Sequence, residues 1–207
     1  GEATVPASVT FTAADWDTPQ TVTVTGVDDD LVDGTITSTI TIAVDDANSD
    51  DDFDTVADQT VSVDTLDDDV AGFTIEETDG STEVDESGST DIFTIVLDAQ
   101  PTNDVVVLAT ASNDETEATV SGSITFTSEN WDTPQTVTVT GVDDDLVDGD
   151  QTYDITISIV DTISDDEFDG VADQSVSSTT LDDDAPGFTI EETDAATEVD
   201  ESGSTDI

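Results

Sequence analysis

The sequence predicts an all-β chain of tandem immunoglobulin-like antiparallel sandwiches, with about seven strands to a unit and 115 residues to a repeat. Three observations lead there. Apolar residues alternate with Thr, Ser and Asp at a period of two in many short runs, and no stretch sustains a helical period. Gly, Asn, Asp and Pro break those runs at the spacing of strands and turns. The chain also repeats itself: Trp16 recurs as Trp131 and Phe73 as Phe188, an offset of 115 each time (131 − 16 and 188 − 73). WDTPQTVTVTGVDDDLVDG, GFTIEETD and TEVDESGSTDI all return unchanged at that offset. So long a period suits one whole sandwich per repeat rather than a solenoid coil. Placing the seams in the acidic runs Leu66–Asp69 and Leu181–Asp184 predicts three pieces. Residues 1–69 are the C-terminal part of one repeat, 70–184 a complete repeat, and 185–207 the opening strand of the next.

Within the complete repeat the strands follow in order. GFTIEE opens it. FTIVL puts Phe93, Ile95 and Leu97 on one face, and DVVVLAT, Asp104 to Thr110, is apolar enough for a central strand. SITFT turns Ile124 and Phe126 inward, QTVTVT does so with Val137 and Val139, and YDITISI with Tyr153, Ile155, Ile157 and Ile159. VADQSVSSTTL closes the unit. Trp16 and Trp131 stand just before TPQ, where each is expected to cap one end of a core. Pro19 and Pro134 suit the first position of a strand, where a missing N–H costs nothing. Only Ala185, Pro186 and Gly187 separate the last acidic run from Phe188, expected to be the first core residue of the next unit.

Composition narrows the function. The chain has 54 Asp and Glu, no Lys, Arg, His or Cys, and a formal charge of −54. Without His, Cys or Lys there is no thiolate or imidazole site for zinc, no Schiff base and no usual activator of a nucleophile, so an enzyme is not expected. A chain without a basic patch is repelled by phosphate backbones and anionic lipid, so nucleic acid is not expected as a partner. No apolar run is long enough to insert directly into a bilayer. High charge with few apolar residues ordinarily leaves a chain disordered. The clean strand alternation argues otherwise, and the two agree if folding depends on bound cations. A salt-adapted acidic surface is the competing reading.

The acid is concentrated where strands end. VTVTGVDDDLVDGDQTY, Val137 to Tyr153, runs a Thr/Val strand into Asp143, Asp144, Asp145 and Asp148 before Gly149 turns the chain back. Four carboxylates in six residues, with no side-chain cation anywhere, call for a hard divalent ion held by oxygens. Calcium takes six to eight such oxygens, so one site must gather several chain segments. In a sandwich, the turn after one strand and the exit of the last strand can meet at one end. That would bring the 143–148 turn beside Asp182–Asp184. The run at Asp46 lacks the glycine and final glutamate of an EF-hand loop.

VDESG (Val84 to Gly88), SNDET (Ser112 to Thr116), GVDDDLVDGDQTY (Gly141 to Tyr153) and LDDDAPGF (Leu181 to Phe188), in that order, resemble a Calx-beta domain. Such calcium-binding sandwiches occur in sodium–calcium exchangers, integrin β4 and large bacterial surface proteins. Matched position by position, the resemblance implies Ca2+ ligands at Glu86, Asp114, Asp143, Asp144, Asp148, Asp182, Asp183 and Asp184. It also implies Asp28, Asp29, Asp33, Asp67, Asp68 and Asp69 in the first unit and Glu201 in the third. A further acidic ligand of the exchanger pattern falls on Gln151, which implies fewer or weaker ions here. Near-identical tandem units favour a calcium-stiffened structural repeat of an extracellular, cell-surface filament or adhesin stalk. Its partners would be calcium, the neighbouring repeats of the same chain, and other copies in a filament. The alternatives are a carbohydrate- or ligand-binding module of a larger secreted protein and a calcium sensor or buffer.

Overall fold

The structure is a computed structural model that describes residues 1–112, 116–191, 199 and 201–203. Its strands are β1 (Ala3–Thr4), β2 (Thr25–Gly26), β3 (Ile36–Ile42), β4 (Gln59–Thr65), β5 (Phe73–Glu77), β6 (Thr82–Asp85), β7 (Thr90–Leu97), β8 (Val105–Ala111), β9 (Ala118–Val120), β10 (Ile124–Phe126), β11 (Gln135–Gly141), β12 (Gln151–Ile159) and β13 (Gln174–Leu181). The helical elements among the described residues are three single 3-10 turns. None is long and apolar enough to cross a membrane.

Strands β5 to β13 make a sandwich of two sheets, one ordered β5-β7-β11-β9 and the other β10-β8-β12-β13-β6. Alternation dictates its interior. Phe93, Ile95, Val137 and Val139 from the first sheet and Val105, Val107, Phe126, Ile155, Ile157 and Val176 from the second are buried in one core, closed by Phe168 from a 3-10 turn. Among the described residues the strands of this sandwich pair antiparallel except β6 with β13, which run parallel from Ser178↔Thr82 to Leu181↔Asp85. That exception positions the site.

Nine strand segments stand where about seven strands were predicted, because two strands break and change sheets. The opening strand splits into β5, which pairs with β7, and β6, which pairs with β13. Likewise β9 pairs with β11 while β10 pairs with β8. DVVVLAT lies inside its sheet, between β10 and β12, yet Leu108 faces out, so this strand is covered on one face only. Trp131 packs against the core as expected, whereas Trp16 is exposed.

The first copy keeps only part of this pattern. β3 pairs with β4 from Ile36↔Thr65 to Ile42↔Gln59, the register of Gln151↔Thr180 to Ile157↔Gln174 shifted by 115. Ala3↔Gly26 and Thr4↔Thr25 repeat Gly141↔Ala118 and Thr140↔Thr119 in the same way. Identical sequence nevertheless fares differently: QTVTVTG is a full strand at 135–141 but only its last two residues pair at 20–26. β11 pairs with β7 along six residues, whereas β2 pairs with β1 along two. A strand exists here because a neighbour accepts its ladder, not because of propensity alone. Phe188 is 88% exposed, against 3% for its counterpart Phe73, which pairs in β5.

Candidate metal centre

Parallel pairing of β6 with β13 makes Glu86 and the 182–184 run leave the sheet side by side, and the Glu86 N–H donates to the Leu181 carbonyl at 3.2 Å. β11 delivers the third segment. Its last residue, Gly141, lies so close to β6 that an added Cβ would collide with the Asp85 carbonyl oxygen. The acidic turn then begins at Val142, whose N–H donates to the Glu117 carbonyl at 2.9 Å.

Asp182 ties turn and exit together. Its Oδ2 accepts from the Gly149 N–H at 2.7 Å and its Oδ1 from the Asp184 N–H at 2.8 Å. Gly149 has φ +77, a left-handed turn that a side chain would strain. Asp144 Oδ1 accepts from the Leu146 N–H at 2.6 Å. Gln151 spends its amide as a donor to the Asp148 and Gly149 carbonyls, stitching the turn closed.

One carboxylate oxygen each from Glu86, Asp144 and Asp184 lies within 4.8 Å of the others. Glu86 is 1% exposed, and neither of its carboxylate oxygens has a hydrogen-bond partner. Asp184 Oδ2 and Glu117 Oε2 are buried in the same unpaired state. Burial pushes the Glu86 carboxyl above its ordinary range, and the charges of Asp182, Asp144 and Asp148 push the same way. The Asp183 N–H, close but without full hydrogen-bond geometry, opposes them. Asp184 is also raised, by burial first and then by Asp145, Asp182, Asp183 and Asp143. Buried anionic oxygens without donors are costly. With no Lys, Arg or His in the chain, protons or bound cations must balance them.

The first copy builds the same frame. Asp67 Oδ2 accepts from the Gly34 and Asp33 N–H groups at 2.7 and 3.0 Å, its Oδ1 from the Asp69 N–H at 2.9 Å, and Asp29 Oδ1 from the Leu31 N–H at 3.1 Å. The Asp69 and Gly34 donors hold the Asp67 carboxyl below its usual range, while burial and then Asp67, Asp68, Asp30 and Asp28 raise Asp69. Asp28, Asp29, Asp33 and Asp67–Asp69 line one hollow together with Glu2.

Of the residues the sequence singles out, Glu86, Asp144 and Asp184 converge and Asp182 holds the frame. Asp143, Asp148 and Asp183 are exposed at the rim. Glu201 is exposed in a turn at 201–203, and Asp114 lies outside the described residues. Glu117 was not anticipated. Its signal was present, since Glu117 recurs as Glu2 and both stand at the start of the β9-type strand.

No protein-family model matches the chain, and no curated protein does. Among solved structures, the chain is similar to the apo form of the Calx CBD1 domain, with 16% identity and a TM-score of 0.39 over 54% of this chain and 98% of that one. It is also similar to the E. coli chaperone DraB, with 9% identity and a TM-score of 0.37 over 56% of this chain and 59% of that one. A third is WR4, a C. elegans member of the MSP family, with 10% identity and a TM-score of 0.34 over 53% of this chain and 96% of that one. At such scores the architecture rests on the strand pairing of the chain itself.

Proposed function

We propose that the chain is a calcium-binding structural repeat of an extracellular filament or adhesin stalk, in which ions tie the end of one sandwich to the start of the next. The observation that carries this is Glu86, fully buried, with both carboxylate oxygens unpaired and one of them within 4.8 Å of an oxygen of Asp144 and of Asp184. A hard cation resolves that arrangement, and the donor set is all oxygen. Calcium suits it better than magnesium, because flexible carboxylates from three segments give a variable shell rather than a rigid octahedron. Further oxygens would come from the same turn and exit, where Asp143, Asp148 and Asp183 are exposed.

The seam reading follows from where the cluster lies. Asp184 is the last residue of the acidic run, three residues before the GFTIEE motif returns. An ion held by Glu86, Asp144 and Asp184 would pin the chain just where one unit passes to the next.

Circular dichroism and thermal melts in chelator and in millimolar calcium test the proposal. The expected outcome is a loosely folded chain at low ionic strength that becomes a compact β-protein when calcium is restored. An unchanged melting temperature would contradict it.

A further inference from the structure

One contact joins the first acidic turn to the sandwich that follows. Leu31 bridges in parallel to Gln100. The Gln100 N–H donates to the Asp30 carbonyl at 2.7 Å, and the Val32 N–H donates to the Gln100 carbonyl at 3.3 Å. Val32 is only 9% exposed and belongs to the same buried apolar cluster as Ala99 and Val105.

The turn that makes this contact, VDDDLVDG at 27–34, recurs at 142–149. Both copies are held in one shape. The Leu31 and Leu146 N–H groups donate to Asp29 and Asp144, and the Gly34 and Gly149 N–H groups donate to Asp67 and Asp182. The outcome at the tip differs: Leu146 and Val147 are 61% and 54% exposed. Two adjacent large apolar side chains at the tip of an otherwise acidic turn form a surface suited to burial against a partner.

We propose that Leu146 and Val147 are a docking plug for a further unit of this same sequence, seated on that unit's copy of the Ala99–Asn103 edge. The inference rests on reading the chain as a series of repeats. The occupant follows from the contact already present. In this chain the edge is taken by its own Asp30–Val32 segment, so a second intact copy has none to offer. A unit continuing after Ile207, the counterpart of Ile92, would present a free one.

The chemistry also explains why the joint is apolar. Asp33 from the turn and Asp166 and Glu167 from the next sandwich line one hollow beside the contact. The chain has no Lys or Arg with which to pair them. Attachment therefore falls to a buried aliphatic side chain and to backbone hydrogen bonds, which add no charge and fix the register.

The test uses the full chain lengthened by continuing Ile207 with a second copy of residues 93–184, followed by hydrogen exchange in calcium. Replacing Leu146→Ser together with Val147→Ser should speed exchange of the appended copy of the Gln100 amide by about tenfold or more, leaving the original Gln100 amide unchanged. Leu31→Ser with Val32→Ser should do the reverse. If the second pair releases Gln100 but the first pair leaves the appended amide unaffected, the plug is overturned while the observed contact stands. If neither pair changes either amide, the turn does not protect Gln100 in solution and the plug falls with that contact. Both results are independent of whether calcium raises the melting temperature.

Discussion

Glu86→Gln keeps the shape of a fully buried side chain and removes one negative charge from the heart of the acidic cluster. In chelator, the parent confines the Glu86, Asp144 and Asp184 carboxylates within 4.8 Å of one another. The amide relieves that repulsion and offers N–H donors to the unpaired Asp184 Oδ2. The ion-free variant is therefore expected to melt above the ion-free parent. In calcium the order should invert. A site at a hundredfold its Kd adds about 2.7 kcal/mol to stability, whereas one weakened a hundredfold adds only about 0.4 kcal/mol. For a sandwich of this size, about 4 °C accompanies each kcal/mol. The parent should thus gain roughly 10 °C from calcium and the variant roughly 2 °C. Differential scanning calorimetry of both proteins, in chelator and in millimolar calcium at low ionic strength, reads the crossing directly. Equal calcium increments in the two proteins would refute a role for Glu86 in ion binding.

Three further outcomes follow from the same geometry. The raised carboxyls of Glu86 and Asp184 give the ion-free folded state more bound protons than the unfolded chain above the ordinary values of 4.5 and 3.8. Their contribution to stability in chelator is fully present below those values and is lost as pH rises through the raised ones, so the Glu86→Gln variant should lose less urea resistance than the parent over that window, and the difference should vanish in saturating calcium. Sodium chloride at 1 M shortens the Debye length to about 3 Å but does not supply multidentate coordination, so it should recover only part of what a few millimolar calcium restores; full recovery by sodium would favour the salt-adapted surface. Gly141→Ala drives a Cβ into the Asp85 carbonyl and displaces β6, the strand that carries Glu86. It should cost about 1–3 kcal/mol by urea unfolding and weaken calcium binding by titration calorimetry, and an unaltered affinity would separate β6 from the site.

Much of this was legible from alternation alone. Phe93, Ile95, Val137, Val139, Ile155 and Ile157 point inward because their neighbours are Thr, Ser and Asp, and a period of two leaves one way to bury them. The acidic turn and the 182–184 run could be placed at one end because, in a sandwich, the turn after one strand and the exit of the last can meet there. The sheet switch between β5 and β6 was not legible. It depends on β6 finding β13, about a hundred residues away in sequence, and it is this pairing that buries Glu86. Glu117 escaped because the neighbouring SNDET turn offered a more conspicuous acid in Asp114. The different pairing of the two QTVTVTG copies, and of Phe73 and Phe188, was beyond any local pattern, since the residues are identical.

The most direct measurement of the central claim is an ion-resolved crystallographic density map of the protein grown in calcium, collected with anomalous signal. The expected result is a peak bound by Glu86, Asp144 and Asp184 oxygens at about 2.3–2.6 Å, with further oxygens from the surrounding turn. A map in which Glu86 is neutral and hydrogen-bonded to a neighbouring carboxylate, with no ion among the three, would contradict it.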